Sequence, residues 1–288
     1  MMRKISIVIV LMAMVLVSFH CRKKAAVKGV DLEIKFSESP LSDYLITDVQ
    51  YIWKTDNEFV KVTQDYNVFV HFWHKNNLIF QDDHTPAVAT SKWEPGQEYS
   101  YSRRILIPRF IDEFDPEFEG EETLKISAGF FAPYDRTGES KREVLTKRIK
   151  VLPLPPDTPE VIYEDGWYDH EVNPEAFLKE WRWTAKEARC IVDNPHRDAL
   201  LVIKGGVNLS VFDGQKVIFK INELVLDEFI PRESDFEKTY NIKKEQLGEG
   251  DEFILTFLTD KTFIPAKAIP GSADERELGI QISFIYFR

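Results

Sequence analysis

Cysteine is nearly missing from this chain of 288 residues, which carries only Cys21 and Cys190. That excludes the disulfide framework that staples small secreted domains. Glycine (13) and proline (15) are too sparse for a low-complexity or collagen-like polymer. Basic charge is also short, with 37 Lys and Arg against 48 Asp and Glu and a net charge of −11. A body this acidic repels phosphate backbones and anionic membrane surfaces, so no nucleic acid partner is expected. The usual catalytic signatures are missing too. There is no Gly-x-Ser-x-Gly elbow and no phosphate loop, and His170-Glu171 lacks the second histidine of a zinc helix. Gly248-Glu249-Gly250 lacks the third glycine of a dinucleotide fingerprint and reads as a turn.

What is present is the composition of a folded protein, 43% hydrophobic and 30% charged, in a chain long enough for one large domain or two medium ones. Arg3 and Lys4 precede an apolar run from Ile5 to Val17, the charged and apolar regions of an export signal. The run is shorter than the ~20 residues of a comfortable membrane span. It stops at Ser18-Phe19-His20-Cys21, and a cysteine closing such a run resembles a bacterial lipoprotein signal, in which that cysteine is lipidated and becomes the new N-terminus. Residues 1–20 are thus expected to be the signal and 21–29 a tether that anchors the protein to a membrane through Cys21. His20 stands where such signals carry a small residue, and Arg22, Lys23 and Lys24 follow, which keeps an uncleaved signal anchor open as the alternative.

From Val30 onward the apolar period is two. Val30, Leu32, Ile34 and Phe36 alternate with Asp31, Glu33, Lys35 and Ser37, the pattern of a strand with one buried and one wet face. Similar strands are expected at 45–53, 66–74, 78–81, 99–107, 123–131 and 144–152, with a hairpin turn at Asn76-Asn77 because Asn tolerates positive φ. Four prolines in 153–159 then hold the backbone extended and mark a linker over 153–160. Strand signals resume at 187–192, 200–207, 216–221, 224–229, 238–242, 252–258 and 278–287, with a second hairpin at Ile221-Asn222-Glu223-Leu224. Pro174 to Trp183 could form two helical turns. In the last segment Leu278, Ile280, Ile282, Phe284 and Tyr286 are expected on one face. The fold class is therefore all-β, with two β-sandwich domains in tandem, Ig-like or jelly-roll-like, over 30–152 and 161–288.

Phe80-Gln81-Asp82-Asp83-His84-Thr85-Pro86 and 90–97 resemble a block of uncharacterised bacterial envelope proteins. Gly166-Trp167-Tyr168, Trp181-Arg182-Trp183-Thr184-Ala185, 260–266 and 274–280 are similar to a β-sandwich module appended to bacterial surface-polysaccharide glycosyltransferases and methyltransferases. The resemblance covers most of 66–108 and 163–287 and implies an accessory rather than a catalytic part.

Candidate site residues are few. Cys190 shares a strand face with Ala188 and Val192 and reads as a buried inert thiol, with a disulfide to Cys21 as the alternative. His71 and His74 fall on opposite strand faces and cannot share a metal without a bulge. Asp82, Asp83 and His84 could hold a cation or hydrogen-bond sugar hydroxyls, and equally cap a turn. The acidic stretch 112–122 fails the EF-hand template and reads as a solvated loop anchored by Phe110, Phe114 and Phe118. Trp167, Tyr168, Trp181 and Trp183 crowd the entry to the second domain, as sugar-stacking rings or as core. Asp274, Arg276 and Glu277 read as an ion pair that fixes the last strand. No cofactor or metal is implied. A noncatalytic binding or assembly role follows, with a glycan or an envelope protein as partner; a purely structural lipoprotein and an unrecognised carboxylate hydrolase are the alternatives.

Overall fold

Strands dominate because an alternating apolar pattern can bury one side of a segment only in a sheet. The computed structural model describes residues 28–173 and 180–288, so the signal segment, Cys21 and most of the tether lie outside it. The chain divides into two compact units that meet between Leu154 and Pro155. Among the described residues, no helix is long and apolar enough to cross a membrane.

Unit 1 contains β1 (Val30–Phe36), β2 (Leu41–Ser42), β3 (Leu45–Thr55), β4 (Asn67–His74), β5 (Asn77–Gln81), β6 (Glu98–Ile107), β7 (Glu122–Phe131) and β8 (Arg142–Leu152). They form two sheets, ordered β1-β3-β6 and β2-β8-β7-β4-β5. Alternate residues of each strand turn inward. Val49, Tyr51 and Trp53 of one sheet thereby meet Val68, Val70, Phe72, Leu124 and Ile126 of the other in one core, each side chain contributing ~1.5–3 kcal/mol on burial. The β4–β5 hairpin turns one residue earlier than expected. His74 pairs with Asn77, so Lys75-Asn76 form the turn, and Lys75 carries the positive φ of 53°.

Unit 2 contains β9 (Val161–Tyr163), β10 (Trp167–Val172), β11 (Glu180–Thr184), β12 (Glu187–Asp193), β13 (Ala199–Gly206), β14 (Val217–Ile221), β15 (Leu224–Phe229), β16 (Asp235–Ile242), β17 (Glu252–Thr259) and β18 (Gln281–Phe287), with one-turn helices α1 (Lys244–Leu247) and α2 (Pro265–Ala268). Its sheets run β10-β11-β18-β13-β16 and β15-β14-β17-β12-β9, closing on a core that includes Leu201, Ile203, Phe219, Leu255 and Phe257. The expected hairpin at 221–224 is present, with Asn222 at a φ of 50°. Of the helix expected over 174–183, residues 180–183 are strand instead, where Arg182 and Trp183 pair with Ile282 and Gln281 of β18, while 174–179 lie outside the described residues. The proline-rich segment is not extended throughout, since Thr158 N–H turns back to the Pro155 carbonyl at 3.0 Å.

The last strand does not keep one apolar face. Lys204 pairs with Phe284 but Gly205 with Ile282, which leaves Ser283 as a bulge residue and inverts the alternation. Ile280 and Ile282 before it, and Ile285 and Phe287 after it, therefore all reach the core, while Phe284 and Tyr286 do not belong to it. Gly205 makes this register possible, because a Cβ there would lie 2.3 Å from the Gln281 carbonyl oxygen and 2.7 Å from the Phe236 ring. Gly205→Ala is expected to destabilise unit 2 by about 1–3 kcal/mol. Urea unfolding measures it, and an unchanged midpoint would refute the packing described.

Candidate functional site

In unit 1 the chain beyond β5 keeps pairing with β4: Val68 and His84 exchange backbone hydrogen bonds of 2.7 and 2.9 Å. Alternation then separates the acidic cluster. Asp82 and His84 turn into the sandwich, and Asp83 turns toward His71, whose Nε2 lies 3.3 Å away. Asp82 is 8% exposed and fully engaged. Tyr51 donates to its Oδ2 at 2.8 Å, and Arg103 grips it through Nε at 2.9 Å and Nη2 at 2.7 Å. His84 Nδ1–H donates to the Asp82 carbonyl at 2.7 Å. That fixes the neutral tautomer and leaves Nε2 to accept from the Tyr101 hydroxyl at 2.8 Å; Tyr101 in turn accepts from Trp53 Nε1 at 3.2 Å. Burial pushes the His84 imidazole below its ordinary pKa and raises the Tyr51 phenol. The cluster is a charge-balanced clasp between the edge strand β6 and the segment after β5. Sequence reading missed Arg103, Tyr51 and Tyr101, although alternation along β6 does place Tyr99, Tyr101 and Arg103 on one face.

His74 binds a different carboxylate from His71, Glu122 at 2.8 Å. Among the described residues no group of three or more His, Cys, Asp or Glu side chains is arranged to hold a metal. In the acidic loop Asp112 and Asp115 accept the amides of Phe114 and Glu117, both at 3.0 Å. Phe110 packs on the core, but Phe114 is 95% exposed and anchors nothing. Cys190 is buried and free, its thiol pushed up to about 12 by burial.

In unit 2 the four aromatic residues divide between faces. Register partners in a sheet point the same way. Arg182 pairs with the core residue Ile282, whereas Trp183 pairs with Gln281 and Trp181 with Glu171, which sets both indoles on the face turned away from the core. A bulge between Trp167 and His170 reverses β10. Trp167 therefore faces inward, its ring 5.1 Å from Phe257 and its Nε1 donating to the Arg189 carbonyl at 2.7 Å. Gly166 permits the tight approach, with a φ of 83° and no room for a Cβ against the Glu187 carbonyl.

The loop that includes α2 braces the outward face. Phe263 meets Trp183 edge-on at 5.7 Å. Arg276 lies 5.3 Å over the Tyr168 ring, grips Asp274 through Nε and Nη2, and reaches Glu171 at 2.8 Å. Tyr168 donates to the Glu277 carbonyl at 2.9 Å. Of the ion pair expected among Asp274, Arg276 and Glu277, Asp274 and Arg276 form it, but through Glu171 it ties this loop to β10 rather than to the last strand, and Glu277 instead accepts from the Thr262 hydroxyl. Tyr168, Trp181 and Trp183 stay half-buried, and Trp181 Nε1 has no acceptor among the described residues. From Trp183 the aromatic row passes through Phe263 to Phe212, 5.9 Å further on. Phe212 lines a hollow of about 600 Å³ with Leu209, Ile230 and Arg232.

No protein-family model and no curated protein matches the sequence. Among solved structures the chain is similar to carbohydrate-binding modules of the β-sandwich superfamily, at 8% identity over 92% of this chain and 100% of that one, TM-score 0.26. It is also similar to the dimeric latent PorU of Porphyromonas gingivalis (10% identity, 90% of this chain, 20% of that one, TM-score 0.23). A third is the SGBP-B protein of a Bacteroides ovatus mixed-linkage glucan utilization locus, in complex with a heptasaccharide (8% identity, 82% of this chain, 49% of that one, TM-score 0.23). At these scores the ligand question rests on the side chains alone.

The His84 clasp generates a pH dependence. Folded His84 binds its proton less tightly than the unfolded chain, so its contribution to stability is complete above the ordinary imidazole value of about 6.5 and is lost as pH falls below it. The melting temperature of the wild type is expected to drop between pH 7.5 and 5 more than that of His84→Gln. Equal slopes would show that the imidazole is not buried neutral.

Proposed function

We propose that the chain is a noncatalytic carbohydrate-binding protein of the bacterial cell envelope, with its sugar platform on the outward face of β10 and β11. The observation that carries this reading is the pair Trp181 and Trp183. Two residues apart on one strand, they leave the backbone about 6.6 Å apart by strand rise, on the scale of one hexose. Phe263 braces one of them, and both keep part of their surface in solvent, so a sugar face could stack on them without unfolding anything. Arg276 holds both Glu171 and Asp274, which supports binding over hydrolysis, because neither carboxylate is free to act as acid or base. The resemblance of 163–287 to modules appended to surface-polysaccharide transferases favours surface polysaccharide as the ligand and an accessory role in its assembly.

A protein-interaction role is the second reading, favoured by one observation. Ile162, Ile191 and Ile254 lie side by side across three strands of the other sheet, and the outer two are each 42% exposed.

Titrating tryptophan fluorescence with a panel of bacterial surface polysaccharides tests the first reading. A saturable shift is expected, with Trp181→Ala/Trp183→Ala weakening it at least tenfold, about 1.4 kcal/mol; no response from any polysaccharide would end the glycan reading. The anchor is tested separately. Cys21→Ser is expected to move the protein from the membrane to the soluble fraction, and continued membrane association would favour an uncleaved signal anchor.

A further inference from the structure

We propose that unit 1 carries a second binding site, for a small aromatic carboxylate, in a cleft that the polysaccharide platform does not involve. Phe59 and Val62 follow β3, Tyr66 precedes β4, Trp93 precedes β6, and Phe130 lies near the end of β7. With Val30 of β1, these five form the apolar walls of a cleft of about 190 Å³. That size is close to the ~150 Å³ cavity that admits benzene and below the roughly 300–1,000 Å³ of drug-sized pockets. One ring fits, and an oligosaccharide does not.

The walls are held in place without a ligand. Trp93 stacks on Tyr99 at 4.8 Å and 9°, meets Phe130 edge-on at 5.6 Å, and donates its Nε1 to the Val88 carbonyl at 2.9 Å. The two loops that supply the walls are cross-linked. Lys61 is ion-paired with Glu94, and the Tyr66 amide donates to Thr90 Oγ1 at 2.9 Å.

The polar lining decides the ligand. Ser140 already uses its hydroxyl on Asp135 and on the Ala132 amide, and Thr90 is engaged by Tyr66. Arg142 is different. It lines the same cleft, and its Nη1 is fixed by the carbonyls of Glu139 and Lys141, each at 2.9 Å. Among the described residues it has no carboxylate partner. In a chain with a net charge of −11, a half-buried guanidinium without a counter-ion beside an apolar slot is an unmet demand for an anion. Its planar fork suits a carboxylate, with the ring of the same molecule against the half-buried Val30, Val62 and Tyr66.

Isothermal titration of the full chain with phenylacetate, and with phenylacetamide as the neutral control, tests the site. Saturable binding of one phenylacetate per chain is expected, with phenylacetamide at least tenfold weaker. Arg142→Gln should lower phenylacetate affinity about tenfold to the level of the amide and leave polysaccharide binding through Trp181 and Trp183 untouched. Val62→Trp, which fills the cleft, should bind neither small molecule while melting within a few degrees of the wild type. The proposal is overturned by an absence of saturable binding to the wild type, by equal affinity for acid and amide, or by phenylacetate binding that survives in a folded Val62→Trp protein.

Discussion

Side chains on a strand point alternately to opposite faces, and each sheet of these two units has one face committed to a core. Every other feature of the molecule follows from how that alternation is kept or broken. Where it is kept, as over residues 47–51 of β3, buried Thr47, Val49 and Tyr51 alternate with exposed Asp48 and Gln50. Where one residue is inserted, the faces exchange. The bulge at Ser283 returns Ile285 and Phe287 to the core of unit 2. The irregularity between Trp167 and His170 turns Trp167 in, while Trp181, opposite Glu171, stays out. A single inserted residue thus decides which aromatic rings are core and which form a surface.

The same logic separates what could be read from the sequence from what could not. The strand 30–36 coincides with its alternating segment because its periodicity is unbroken, and 224–229 has the expected bounds although a bulge at Leu226 interrupts its register. β9, β10 and β11 escaped notice because they are short, rich in charge, or interrupted; Glu180-Trp181-Arg182-Trp183 has two large rings at strand spacing, but the core side is occupied by Arg182, so no apolar alternation marks it. The hairpin at Lys75-Asn76 was displaced because tertiary register placed the positive φ on a lysine that turn preferences pass over. The cleft around Trp93 was out of reach for a different reason. Its walls come from well-separated stretches of chain, and only the closed fold brings them together.

Buried charge follows a consistent rule. Buried Asp82 is neutralised by Arg103, as is required where breaking a buried pair costs about 3–5 kcal/mol, and the more exposed Arg276 is paired with Asp274 and Glu171. Both sets join a sheet edge to a neighbouring loop, so they act on register and closure rather than on chemistry. Other carboxylates lie on the surface, where salt bridges such as Lys54–Glu33 are half in water and are weakened by solvent screening. Arg142 and Arg182 are half-buried without a carboxylate among the described residues, but Arg182 lies over the Tyr163 ring and donates to the Tyr168 carbonyl, whereas Arg142 borders the apolar cleft.

The distribution of tryptophan argues for where a sugar could stack. Unit 1 places Trp53 and Trp93 fully inside, at 0% and 1% exposure, where they tie its core together and are closed to any flat ligand. Its remaining indole, Trp73, is covered in part by Lys125, whose ammonium lies 5.7 Å over the ring. Unit 2 builds its core from aliphatic side chains and phenylalanine and needs neither Trp181 nor Trp183 for it. An indole that is not needed for burial still carries a large apolar surface, and leaving even part of it wet is unfavourable at ~25 cal/mol per Å². Phe263 and its loop offset part of that cost but do not cover the rings, and a ligand that covers the rest would gain what the fold leaves unmet.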